Sequence, residues 1–168
     1  MIKSFKEKSP LVDKALYIDP SSVIIGDVTL FDNTSIWPNV TIRGDMAPIT
    51  ILKNTNIQDN TVIHVNADMP THIGHDVTVG HSAIIHACTI KDYALIGMGA
   101  IILDEAVIGE YSLVAAGSLV PPRKVFPPKS LIMGNPAKVI RELTSEEIKK
   151  NQENTNHYIE LGNLYKNQ

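Results

Sequence analysis

The sequence predicts an all-β chain wound as a parallel β-helix and closed by one C-terminal α-helix. Three observations carry that expectation. Aliphatic residues recur every sixth position, at Ile18, Ile24, Leu30, Ile36 and Ile42, then Ile51, Ile57 and Ile63, then Ile73, Val79 and Ile85, then Ile90 through Ile96, Ile102, Ile108 and Val114 to Val120. Four residues after most of these anchors stands a small or β-branched residue, among them Val28, Thr34, Val40, Thr61, Val77, Ala83, Ala100 and Ser118. The repeat then stops in the proline-rich PPRKVFPPKS, and a helix-start signal follows. A period of six fits neither the 3.6 of a helix nor the two of a flat strand. It fits short strands, each followed by a turn that takes the chain round a corner.

Three hexads close one triangular coil of 18 residues, with the anchors inward and stacked coil upon coil. The hexads resemble those of the hexapeptide-repeat proteins, and that resemblance implies a left-handed coil, where the general rule for parallel crossovers favours the right-handed one. Two insertions interrupt the count: three extra residues after Asp45 (MAPIT) and four between His64 and Ile73 (VNADMPTH). Loops that break a solenoid gather on functional faces. A five-residue step from Ile85 to Ile90 shortens one hexad and makes its Cys88 a small core residue; nothing marks that thiol as activated. Residues 1–140 form the β-helix and 141–168 a helix packed along it. Thr144 and Glu147 of TSEE read as a capping box, and Tyr158, Leu161 and Tyr165 follow at helical spacing. The Asn-rich NQENTN between them reads as the segment most prone to fray.

Fifteen Lys and Arg face 18 Asp and Glu with no basic block, which leaves nucleic acid without an electrostatic footprint. The most apolar run, ALIGMGAIIL, is too short to span a bilayer, and the N-terminal MIKSFKEKSPLVDK lacks the apolar core of a signal peptide. A single cysteine closes no internal disulfide. The expectation is a soluble cytoplasmic protein with a small-molecule substrate.

Coil arithmetic assigns the histidines. His64 and His86 each follow an anchor by one, and those anchors are 22 positions apart, or 18 once the four-residue insertion is discounted. Both therefore stand on one face in adjacent coils, about 4.8 Å apart. Arg43 falls one coil earlier in the same column. His81 and Asp59 each follow an anchor by two and form a second column on a different face. His81 cannot easily join His64 and His86 within one chain, but a neighbouring chain could supply it. A ring of three chains closes with three equivalent interfacial sites. Three neutral imidazoles with an open fourth position suit catalytic zinc, and the same ligands accept Fe2+, Co2+ or Ni2+. His72 and His75 beside the loop and His157 on the helix are read as structural or surface residues.

The segments RGD at Arg43–Asp45, IQDNTVIH at Ile57–His64 and GHSAIIH at Gly80–His86 resemble the gamma-class carbonic anhydrases, over a span from about residue 10 to 168. The resemblance implies that His64, His81 and His86 are the metal ligands and that Arg43 and Asp59 pair between subunits. It places the amide of Gln58 beside the metal-bound water, Asp45 near the same interface, and Tyr158 as an aromatic residue near the site. It implies reversible hydration of carbon dioxide by metal-bound hydroxide in a homotrimer. The longer acidic loop of that family, which carries glutamates proposed as proton shuttles, is reduced here to VNADMPTH, with Asp68 its one acid.

Two other classes stay open. GNPAK at Gly134–Lys138 resembles the tail of hexapeptide acyltransferases, which bind coenzyme A between prisms, so an acyltransferase or a metal-dependent acyl-coenzyme A thioesterase is the alternative. The other is a non-catalytic trimer whose metal only joins subunits.

Overall fold

A computed structural model describes residues 1–168. The six-residue repeat is a stack of short parallel strands on three faces of a prism. On the first face Thr41–Arg43, Val62–His64, Ile84–His86, Ile101–Ile102 and Leu119–Val120 pair in register, so that Ile42, Ile63, Ile85, Ile102 and Val120 form one inward column. The second face stacks Ile51, Ile73, Ile90, Ile108 and Phe126. The third stacks Ile18, Ile36, Ile57, Val79, Ile96, Val114 and Ile132. The anchors from Ile24 to Val120 are almost fully buried, the aliphatic core that the period predicts. Trimming one rung, Ile85→Val, removes a single methylene between Ile63 and Ile102 and should lower unfolding free energy by about 0.5–1.5 kcal/mol in a denaturant titration.

Sharp corners join the faces, and their residues adopt left-handed backbone: Asn33, Asn39, Asn54, Asn60, Asp76, Ser82 and Tyr93 all have φ between 56° and 61°. Asn and Asp are enriched there because their short side chains tolerate this region. At one corner they also form a ladder, Asn33 Nδ2 donating to Asn54 Oδ1 at 3.2 Å and Asn54 Nδ2 to Asp76 Oδ1 at 3.0 Å.

The two insertions behave differently. The three extra residues after Asp45, expected as a loop, instead sit within one unbroken strand, Thr41–Ile51, that rounds the corner. The register with Val23–Leu30 slips there, from Gly26↔Gly44 to Val28↔Ile49. Backbones touch at this bulge: a Cβ on Gly44 would meet Asp27 O at 2.4 Å, so glycine is required. The insertion after His64 is a tight turn, closed by Met69 N donating to Asn66 O at 3.1 Å.

Ser130–Gly134 ends the third face, and Ala137–Glu142 pairs with it antiparallel, so the β structure runs two residues past position 140. The helix Ser145–Lys166 starts at the capping box expected from TSEE, with Thr144 as N-cap and Glu147 as its reciprocal partner. Glu147 also meets Arg141, and that hydrogen bond holds its carboxyl down at about 2. The Asn-rich middle is not frayed, because it carries the contact with the prism. Thr155 is buried and its hydroxyl lies 3.2 Å from that of Thr78. Farther along, Tyr158 and Tyr165 pack edge-on against buried Trp37 at 5.3 and 5.1 Å between ring centroids.

Candidate metal centre

The register that stacks the core also stacks the histidines. His64 and His86 are direct partners across adjacent strands, with Arg43 one strand before them. His64 Nδ1 and His86 Nε2 face each other at 3.2 Å. The outer nitrogens of both rings rest on carboxylates: His64 Nε2 donates to Asp45 Oδ1 at 3.0 Å, and His86 Nδ1 donates to Asp104 Oδ1. In the neutral tautomers that donate to these carboxylates, the two inner nitrogens both present lone pairs to one another. Such a pair calls for a cation. Tetrahedral zinc with Zn–N bonds of about 2.0 Å separates neighbouring ligand atoms by about 3.3 Å, so the two nitrogens fit as adjacent ligands.

Asp45 and Asp104 bracket the pair from the coils below and above. Burial pushes the Asp45 carboxyl up, but hydrogen bonds from His64 and Arg43 outweigh it and hold the group below the ordinary carboxylate range. The hydrogen bond from His86 holds Asp104 low against its burial, and Asn66 adds to that effect. Asp104 and Asn66 were not among the expected site residues. The available signal was weak: an acid at a corner, one coil and one residue beyond the partner position of His86.

His81 does not join this pair. It sits in the corner turn that enters the first face, whereas His64 and His86 sit where their strands leave it. Five extended residues, about 16 Å at most, separate His81 from His86. Its Nδ1 donates to Asp59 Oδ2 at 2.8 Å, which leaves Nε2 without a protein partner. Within the chain no three His, Cys, Asp or Glu side chains converge as a metal cluster. Arg43 and Asp59 are likewise separated: Arg43 pairs with Asp45, and Asp59 with His81.

The structure does bring Gln58, Tyr158 and His81 together. They line a groove of about 440 Å³ between the helix and the third face, floored by Leu95, Met98 and Leu113. Gln58 is only 5% exposed, with Nε2 donating to Asn56 Oδ1 at 3.1 Å. Burial raises the Tyr158 hydroxyl pKa, and the Asp59 charge raises it further, so the phenol stays protonated.

The remaining histidines have other partners. His75 is clamped between Asp76 at 2.6 Å and Asp92 at 3.1 Å and packs on Tyr93. His72 pairs in the second face, where burial lowers its pKa. His157 is exposed on the helix. Cys88 is in the core, where burial pushes its thiol up to about 12, and no role as a nucleophile follows. No helix is long and apolar enough to cross a membrane.

No protein-family model matches the chain. A Geobacillus kaustophilus protein named carbonic anhydrase is 48% identical over 166 residues, covering 99% of this chain and 91% of its own. The mitochondrial gamma carbonic anhydrase 2 of Arabidopsis thaliana is 45% identical over 165 residues, and the chain spans 59% of the length of that relative. A crystal structure from Bacillus cereus, assigned as an acetyltransferase, superposes with a TM-score of 0.95 at 46% identity, covering 99% of this chain and 96% of the other. The prism is thus the left-handed β-helix of the hexapeptide-repeat proteins, and, on identity across nearly its full length, the chain belongs to the gamma carbonic anhydrase family.

Proposed function

We propose that the protein is a metal-dependent carbonic anhydrase that works as a homotrimer, with each ion held by His64 and His86 of one chain and by the partner subunit's His81. One observation carries this reading. All three histidines rest one ring nitrogen on an aspartate and keep the other free, yet only two of them converge in one chain. Metal-ligating histidines commonly hold their second nitrogen in this way. The surface beside the pair supports a neighbour: Val62, Ile84, Ile101 and Leu119 form an outward apolar column in register, and Val62 and Ile84 are each 39% exposed. In the ring, Arg43 would meet the partner's Asp59 and link Asp45 to the pair that orients His81.

Bound zinc, or another divalent ion with the same preference, supplies Lewis acidity that lowers the pKa of water to about 7. The chain's own residues do the rest. Asp45 and Asp104 keep their histidines in the metal-accepting tautomer. Gln58, with Nε2 committed to Asn56, would offer Oε1 as an acceptor to the water that adds to carbon dioxide and so orient it. Tyr158 closes the groove with a protonated phenol. The short insertion carries Asp68 as its one acid and no glutamate, so external buffer is expected to accelerate turnover.

The groove favours one second reading, because its apolar floor exceeds what carbon dioxide needs and suits an acyl chain. Metal analysis and hydration assays on the purified protein decide between the two. About one ion per chain, with buffer-dependent carbon dioxide hydration lost on chelation and regained with zinc, is expected. A trimer that binds coenzyme A tightly and holds no metal would overturn the anhydrase reading.

A further inference from the structure

We infer that Asp104, itself held by Asn66, is the positioning residue that decides which nitrogen of His86 faces the shared site. The inference rests on the metal-site reading above. It also gives the insertion after His64 a function: buttressing a ligand of the next coil.

The relay is short and directional. Asn66 Nδ2 donates to Asp104 Oδ2 at 3.2 Å across 38 residues of sequence, and the other carboxylate oxygen accepts the Nδ1 proton of His86. Both ends are fixed to the backbone. Asn66 Oδ1 accepts Ala67 N at 2.9 Å, and Asn66 O accepts Met69 N at 3.1 Å, so the turn cannot swing away without losing both. On the other side, Ala87 N donates to His64 O at 3.0 Å and Glu105 N to Ala87 O at 2.7 Å, which stacks three successive corners directly beside the histidines. Asp104 therefore stands on a rigid rung rather than on a loop.

The chemical consequence concerns the tautomer. A neutral imidazole in water favours the proton on Nε2, the nitrogen that here faces His64. A carboxylate at Nδ1 reverses that preference and leaves the Nε2 lone pair free for an ion. Asp104 and His86 are each 29% exposed, so the pair adds little to stability as an ion pair. Its effect is on geometry and ligand basicity. Asp45 performs the same task for His64 from the coil below, where Arg43 holds it, whereas Asp104 is held by Asn66 of the insertion.

The test compares the full-length parent with Asp104→Ala, Asp104→Asn and Asn66→Ala, after confirming folding by circular dichroism. Tautomers are read in metal-free, 15N-histidine-labelled protein at about pH 8.5, above the ordinary imidazole pKa of about 6.5. His86 is expected as the Nδ1–H form in the parent and as the Nε2–H form in Asp104→Ala. Affinity for Co2+, followed by its visible absorption, should fall about 10- to 100-fold in Asp104→Ala. Asp104→Asn, which keeps an acceptor, should recover part of that loss, and Asn66→Ala should fall between it and the parent. An unchanged tautomer, or unchanged Co2+ affinity in Asp104→Ala, overturns the inference, and so does a loss confined to thermal stability. If the parent itself takes up no Co2+, the metal-site reading fails, and the tautomer comparison alone decides the role of Asp104.

Discussion

Two inactive variants should restore one another. His81→Ala chains keep an intact His64/His86 pair but lack the ligand they would lend to a neighbour. Chains carrying both His64→Ala and His86→Ala keep only His81. Each homotrimer should lose tight metal binding and hydration. When equal amounts are dissociated and reassembled, a complete site forms wherever a chain of the first kind accepts His81 from one of the second. Random assembly gives that order at about one interface in four, so about a quarter of parental metal content and activity should return. Native mass spectrometry checks that mixed trimers have formed. Mixed trimers without metal would mean that His81 is not lent across the interface, and the site would have to be sought within one chain. The large effect has a simple origin: a chelate reduced from three imidazoles to two or one loses a ligand that nothing else nearby replaces.

Gln58→Ala should lower kcat for carbon dioxide hydration about 10²- to 10³-fold while metal content and trimer stay intact, the usual cost of losing one preorganised hydrogen bond at the reacting centre. Stability should fall by about 1–3 kcal/mol, because the buried Asn56 Oδ1 loses its donor while Asn56 Nδ2 keeps its bond to Thr78 Oγ1 at 2.9 Å. The assay needs concentrated buffer, so that proton export does not mask the chemical step. If kcat is unchanged, Gln58 lines the groove without acting on substrate. If metal is lost as well, Gln58 supports the corner that carries His81 rather than the reaction.

The winding of the chain was legible in the sequence because the period of six is dictated locally. Each hexad places one aliphatic anchor inward and one tight corner after it, and a repeat needs no distant information to recognise its neighbour. Counting coils was then enough to stack His64 on His86 and to set His81 apart from them. Thr144 and Glu147 marked the helix start for a similarly local reason, since a capping box is satisfied within a single turn.

Other features depended on contacts that spacing does not encode. The Asn-rich stretch around Thr155 stays helical because Thr78, 77 residues away, accepts it into the interface. The insertion after Asp45 runs on as strand because Gly26 and Gly44 let two backbones touch, a property of the pair that neither position reveals alone. Asp104 reaches His86 across one coil, and Asn66, 38 residues earlier in the sequence, reaches the same carboxylate. The hexads determined by themselves which side chains share a column. Which nitrogen of each histidine is free, and which carboxylate holds the other, was decided by side-chain directions at the corners, where residues far apart in sequence come within hydrogen-bond distance.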